Sequence, residues 1–147
     1  MPRQSFTHSS TAHVDAETVW EALNHPSTWE AIGGVDRVFD PVVDEHGDLH
    51  GFSFESVVAG LRYTGTASPR EREEFHLMSW DIANREVRGI TSVELAPAEA
   101  TTTITVTIEV ASVGMMSTMF FPAIAAALGN GLPKAVDRFA ERLSNRA

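Results

Sequence analysis

The feature that most constrains this chain is a well-marked helix start placed directly behind a lone strand. Phe6 to His13 is a polar-rich extended segment, and it runs into Val14-Asp15-Ala16-Glu17-Thr18-Val19-Trp20-Glu21-Ala22-Leu23. Asp15 is a good N-cap, because its carboxylate can accept from the free N–H groups of the first helical turn. Val14 and Val19 hold the two positions of a hydrophobic staple, and Val19, Trp20 and Leu23 give the helix one apolar face. Pro26 suits the first turn of a second, shorter helix. Gly33-Gly34 ends that helix, since glycine accepts the left-handed conformation found past a helix C-terminus. A long run of strands follows, and one long apolar helix closes the chain. A sheet wrapped around a terminal helix can hold a hollow interior.

The strand signals run in order. Val35 to Val43 is the first after the helices, with Pro41 marking an edge or bulge. Asp44-Glu45-His46-Gly47-Asp48 is a turn. Leu49 to Val58 follows, with Phe52 and Phe54 on one face. Ala59-Gly60 turns the chain into Leu61 to Pro69, then come Phe75 to Ile82, the turn Ala83-Asn84-Arg85-Glu86, and Val87 to Leu95. In Thr101 to Val110 the residues Ile104, Val106, Ile108 and Val110 alternate strictly with Thr103, Thr105, Thr107 and Glu109, the mark of a half-buried antiparallel strand. From Met115 onward, Met116, Phe120, Ile124 and Leu128 recur at a spacing of four, as do Leu132, Val136 and Ala140. Pro122 and the cluster Gly129 to Pro133 predict an interrupted helix, with Met115 to Leu128 apolar nearly all round and buried on more than one side, and Lys134 to Leu143 amphipathic.

With 147 residues the chain is expected to form one domain over residues 1–147 with a sizeable core. No apolar run is expected to cross a bilayer, and the start Met1-Pro2-Arg3-Gln4-Ser5 carries no signal-peptide pattern. The absence of cysteine rules out disulfides and thiolate metal sites and fits a cytoplasmic protein. Net charge is −9, and the arginines are interleaved with acids, as in Arg70-Glu71-Arg72-Glu73-Glu74, a solvated turn or strand end. Without a basic patch, nucleic acid and anionic membrane are not expected partners.

The order strand, two short helices, six strands, long helix is that of the helix-grip fold. The segment Val14 to Leu23, with Trp29 shortly after it, resembles the start of the START-like superfamily, which includes the bacterial polyketide cyclase/dehydrase-like proteins and the plant pollen-allergen family. The resemblance covers nearly the whole chain in element order. It implies an α+β fold in which a seven-stranded antiparallel sheet grips the last helix, with a cavity between them that takes lipids, sterols, polyketides or other apolar molecules. Some members are enzymes, with catalytic residues that differ between branches, and no branch-specific motif is present here. The Gly129–Pro133 break departs from the pattern, as a kink that gates the cavity or collapses into it.

Phe52, Phe54, Tyr63, His76, Met78, Trp80, Met116, Met119 and Phe120 come from elements expected to face one another, and they are the candidate ligand-binding residues. Tyr63, the only tyrosine, and His76, expected to share a strand face with Met78 and Trp80, are the polar groups placed to orient a ligand. Trp80→Ala and Met119→Ala are expected to change ligand binding more than stability. Asp44, His46, Asp48 and His50 read as a solvated hairpin rather than a metal site, and Glu55 is expected on the outer face. No metal and no cofactor is expected. There is no Gly-x-Ser-x-Gly, phosphate-binding glycine loop or His-Glu-x-x-His motif. Three functions remain: binding of a small apolar molecule, a cyclase, dehydratase or hydrolase acting on a polyketide-like or aromatic substrate, and an interaction module or homodimer using Met115-Met116 and Phe120-Phe121.

Overall fold

Alternating side chains along six consecutive strands, and a seventh returning from the N-terminus, assemble into one antiparallel sheet. A computed structural model describes residues 2–58 and 60–146. The elements are β1 (Arg3–Ala12), α1 (Ala16–Leu23), α2 (Pro26–Ile32), β2 (Arg37–Val43), β3 (Leu49–Val58), β4 (Leu61–Glu73), β5 (Leu77–Ala83), β6 (Val87–Pro97), β7 (Thr102–Ser112) and α3 (Met115–Arg146). The sheet order is β1-β7-β6-β5-β4-β3-β2, with each neighbour antiparallel. This is the helix-grip architecture expected from the element order.

The local signals explain the helices. The Asp15 side chain accepts from the Thr18 amide at 2.9 Å and from the Thr18 hydroxyl at 2.6 Å. Trp29 of α2 donates its indole N–H to the Leu23 carbonyl at 2.8 Å, and Thr28 donates to the Ala22 carbonyl at 2.5 Å, so α2 is bolted to the end of α1. The strands differ from expectation at their ends. β1 starts earlier, at Arg3, and β4 runs past Pro69 to Glu73, so Arg70–Glu73 is a strand end, one of its two expected readings. β5 starts only at Leu77, because Phe75 takes a left-handed φ of 66° to pack edge-on against Trp20 at 6.3 Å. In β2, Asp40 has φ 47° before Pro41, and the pairing with β3 shifts between Phe39 and Val42. Of the expected Ala59-Gly60 turn, Ala59 lies outside the described residues; Gly60 has φ 77°.

The last helix departs most from expectation. α3 is continuous through Pro122 and Gly129–Pro133. Gly129 is there for space: a Cβ at this position would stand 2.7 Å from the Phe6 ring of β1. Packing on both sides of the break, by Leu128 and by Leu132 and Val136, holds helical geometry that the local sequence opposes. The expected all-round burial of Met115–Leu128 is also corrected. Phe121 and Ile124 are buried, but Met115 is 84% and Met119 70% exposed. Solvent, not core, covers the outer face of these turns. Nor is bilayer-length apolarity absent: Met115–Asn145 reaches it by length and composition, with a mean hydropathy of 1.3. That same helix supplies Leu132, Val136, Phe139 and Leu143 to the core.

Three carboxyls lie below the ordinary value: Asp15, through the Thr18 hydroxyl and amide; Asp44, through the amides of Asp48 and His46; and Asp137, through the hydrogen bond from His8. A folded value below the unfolded one means that the unfolded chain binds more protons as pH falls. The stabilisation is present above the ordinary carboxylate pKa of about 4 and is lost as pH drops through the folded values. Thermal melts followed by circular dichroism are expected to hold their midpoint from pH 7 to 5 and to fall below about 4. Asp15→Asn keeps a capping oxygen but cannot titrate, so its acid limb is expected to be shallower. An unchanged limb would remove Asp15 from the account.

Candidate functional site: a cavity between sheet and helix

One row of inward-facing residues runs from bulky to small, and that gradient makes the site. At the end covered by α1 and α2, Phe52, Met78, Trp80, Val93 and Val106 fill the space beneath Trp29. The three largest rings interlock. Trp80 is edge-on to Trp29 at 5.7 Å and to Phe52 at 5.2 Å, and Trp29 is stacked with Phe52 at 6.3 Å. Toward the other end the inward positions of β4 and β6 include Gly65, beside Phe54, and Gly89, between Ile82 and Val110. Neither tolerates a side chain. A Cβ at Gly89 would stand 2.7 Å from the Glu109 carbonyl oxygen, and one at Gly65 would stand 2.7 Å from the Phe54 ring. Here α3 spans the sheet without filling the gap, leaving a cavity of about 300 Å3. Its walls are mainly apolar, from Phe54, Ile82, Val87 and Ile108 of the sheet and Ile124, Leu128 and Leu132 of α3.

Gly34 closes one wall. Its φ of 76° is open to glycine, and a Cβ there would stand 2.7 Å from Leu128 of α3. The α2–β2 connection can thus come close to the helix. Glu30 and Asp36, both solvent-exposed, flank this mouth.

The polar end of the cavity is Tyr63. Among the described residues its buried hydroxyl has no hydrogen-bond partner. Burial and the neighbouring Glu86 carboxylate both push its pKa up, so the phenol stays protonated at neutral pH. Glu86 lies in the β5–β6 turn. Its Oε1 accepts from the Met116 amide at 3.0 Å, at the first turn of α3, while Oε2 is buried and unpartnered. The surrounding contacts fix this joint: Ser117 donates to the Glu86 carbonyl at 2.6 Å, and Ser112 shares hydrogen bonds of 2.6 Å with both Ser117 and Thr118.

Of the residues selected from sequence, Phe54 and Tyr63 line the cavity. Phe52, Met78 and Trp80 face the same way but belong to the packed aromatic core. His76 is corrected: it has the right strand parity, but it stands in the exposed β4–β5 turn, where its backbone N–H bonds the Glu73 carbonyl at 2.9 Å. Met116 and Met119 are corrected too, since both are exposed on α3; Phe120 is half-buried and does not border the cavity. The sequence reading missed Gly65, Gly89, Ile82 and Glu86. Strand alternation places both glycines and Ile82 inward, whereas nothing local marks Glu86. Glu55 is on the outer face, 3.6 Å from both Arg37 and Arg62. Asp44 organises its hairpin, accepting from the amides of His46 and Asp48 and contacting His50 Nε2 at 2.9 Å.

A second, polar cleft lies outside α1. Arg72 lines it, donating to the Leu49 carbonyl at 3.1 Å and to Asn24 at 2.5 Å, with its guanidinium 5.2 Å above Trp20. Its donors serve the fold.

The family described as polyketide cyclase/dehydrase and lipid transport matches residues 3–147. No curated protein matches. Among solved structures, a START superfamily protein from Mycobacterium smegmatis is similar over 95% of this chain and 98% of its own, with TM-score 0.71 and 11% identity. The Zhui aromatase/cyclase from Streptomyces sp. R1128 is similar over 96% and 95%, with TM-score 0.68 and 16% identity. Norcoclaurine synthase from Thalictrum flavum, in complex with dopamine and hydroxybenzaldehyde, is similar over 96% and 88%, with TM-score 0.59 and 13% identity.

Proposed function

The chain belongs to the polyketide cyclase/dehydrase and lipid transport family, and from that premise we propose that it binds a small apolar molecule between the sheet and α3. The observation that carries this reading is the cavity itself: about 300 Å3, mainly apolar, with a single unpartnered phenol hydroxyl in its wall. Ligand sites have this character, an apolar enclosure with few polar groups that set orientation. A plain core would have closed over the gap, as the same sheet does beneath Trp29. Affinity comes from burial of apolar surface, and the Tyr63 hydroxyl orients the polar end. The norcoclaurine synthase complex supports the reading, because small aromatic molecules are found with this fold.

Native mass spectrometry of freshly purified protein, compared with its denatured mass, tests the proposal. The expected result is a reproducible added mass that is lost on denaturation, or that appears when apolar ligands are titrated in. A clean apo mass throughout such titrations would overturn it.

A second reading, cyclase or dehydratase chemistry on a polyketide-like substrate, draws on the Tyr63–Glu86 arrangement. A buried phenol hydroxyl that stays protonated and has no partner can donate a hydrogen bond to a developing oxyanion. Substrate consumption that is abolished in Tyr63→Phe while binding survives would favour it.

A further inference from the structure

We infer that the cavity selects apolar ligands whose polar end is uncharged or positive, and that it rejects carboxylates and other anions. The inference rests on the ligand-binding reading above and names the ligand's chemistry. Its basis is the placement of charge around the cavity. Among the described residues no Lys, Arg or His borders it. The nearby arginines are committed elsewhere. Arg37 and Arg62 each lie 3.6 Å from Glu55 on the outer face, and Arg88 donates to the backbone carbonyls of Asn84 and Val87. Lys134 is exposed on α3.

The negative groups are held in place. At the mouth, Glu30 accepts from the Val38 amide at 3.0 Å, and Asp36 accepts from the Val57 amide at 2.6 Å. These bonds fix both carboxylates beside the entrance. Behind the cavity lining, Glu86 has one buried carboxylate oxygen with no donor, and its charge reaches Tyr63. An anionic headgroup entering here would leave water, meet no cation, and face the Glu30 and Asp36 carboxylates. A hydroxyl or carbonyl can take the Tyr63 O–H as its donor. An ammonium group has carboxylates at the mouth to neutralise it.

The test uses three probes with one tail, decanol, decylamine and decanoate, titrated calorimetrically at pH 7.5. Decylamine and decanoate carry opposite charges on the same chain, so their ratio reads the electrostatics alone. Decylamine is expected to bind at least about tenfold tighter than decanoate, the equivalent of 1.4 kcal/mol, and decanol is expected to bind as well. In the double variant Glu30→Gln/Asp36→Asn, which keeps both acceptor oxygens, the ratio is expected to shrink severalfold while decanol binding holds. Decanoate binding as tightly as decylamine would overturn the inference and leave the ligand-binding reading intact. No binding by any of the three would overturn both.

Discussion

Trp80→Ala is expected to cost about 3–5 kcal/mol of stability, a large share of the 5–15 kcal/mol that a domain holds. Trp80 is 1% exposed and touches both other large rings of the core, Trp29 at 5.7 Å and Phe52 at 5.2 Å. Trp29 is kept from collapsing into the gap by its bond to the Leu23 carbonyl. The cost therefore combines lost burial with an unfilled hole. Urea denaturation followed by circular dichroism measures it, and a loss below about 1.5 kcal/mol would show that the rings are not interlocked. This reverses the expectation from sequence, where Trp80 was a ligand contact. At temperatures where the variant is folded, its ligand affinity is expected to change little, since the ring does not border the cavity.

Two residues along the same strand the expectation inverts. Ile82→Trp is expected to preserve stability and remove binding. Ile82 borders the cavity and lies directly across from Gly89, which has no side chain to resist a larger neighbour. An indole there can lean over the glycine, an arrangement that favours sheets with an aromatic across from glycine, and occupy the space a ligand would use. Denying a ligand about 100 Å2 of apolar contact, at about 25 cal/mol per Å2, removes about 2.5 kcal/mol, or roughly 70-fold in Kd. Calorimetric titration with decanol, alongside a thermal melt, reads both halves. Binding retained at wild-type strength would place the ligand elsewhere. A large fall in the melting midpoint would mean that the cavity is too tight for the indole.

The contrast between Trp80 and Ile82 marks the limit of what the sequence discloses. Element order was legible because its signals are local: the Asp15 cap, the Val14–Val19 staple, and the alternation of Thr103 to Val110. The inward parity of β5 was legible for the same reason. Which end of the inward face is packed and which is hollow is a property of cross-strand neighbours. It depends on Gly65 lying beside Phe54 and Gly89 lying beside Ile82 and Val110. His76 failed at a strand boundary, where Phe75 leaves the strand to pack on Trp20. The Gly129–Pro133 break failed because a distant ring, Phe6, uses the space that looked like a hinge. The methionines of α3 failed because apolar periodicity does not reveal whether a partner layer exists on that side.

The pairing of β1 with β7 sets the moment at which the molecule can close. Strands β2 to β7 form a meander, each lying beside the one made just before it, and short loops bring such neighbours together readily. β1 is made first, yet its partners run from Thr102 to Ala111. While the chain is being synthesised, Arg3–Ala12 waits without an edge to join until β7 has left the ribosome. α3 emerges later still, so the part of the sheet's apolar inward face that it covers stays open until this helix has been made. The slow step of folding is then this last long-range closure, and the nascent chain is most exposed to aggregation just before α3 docks.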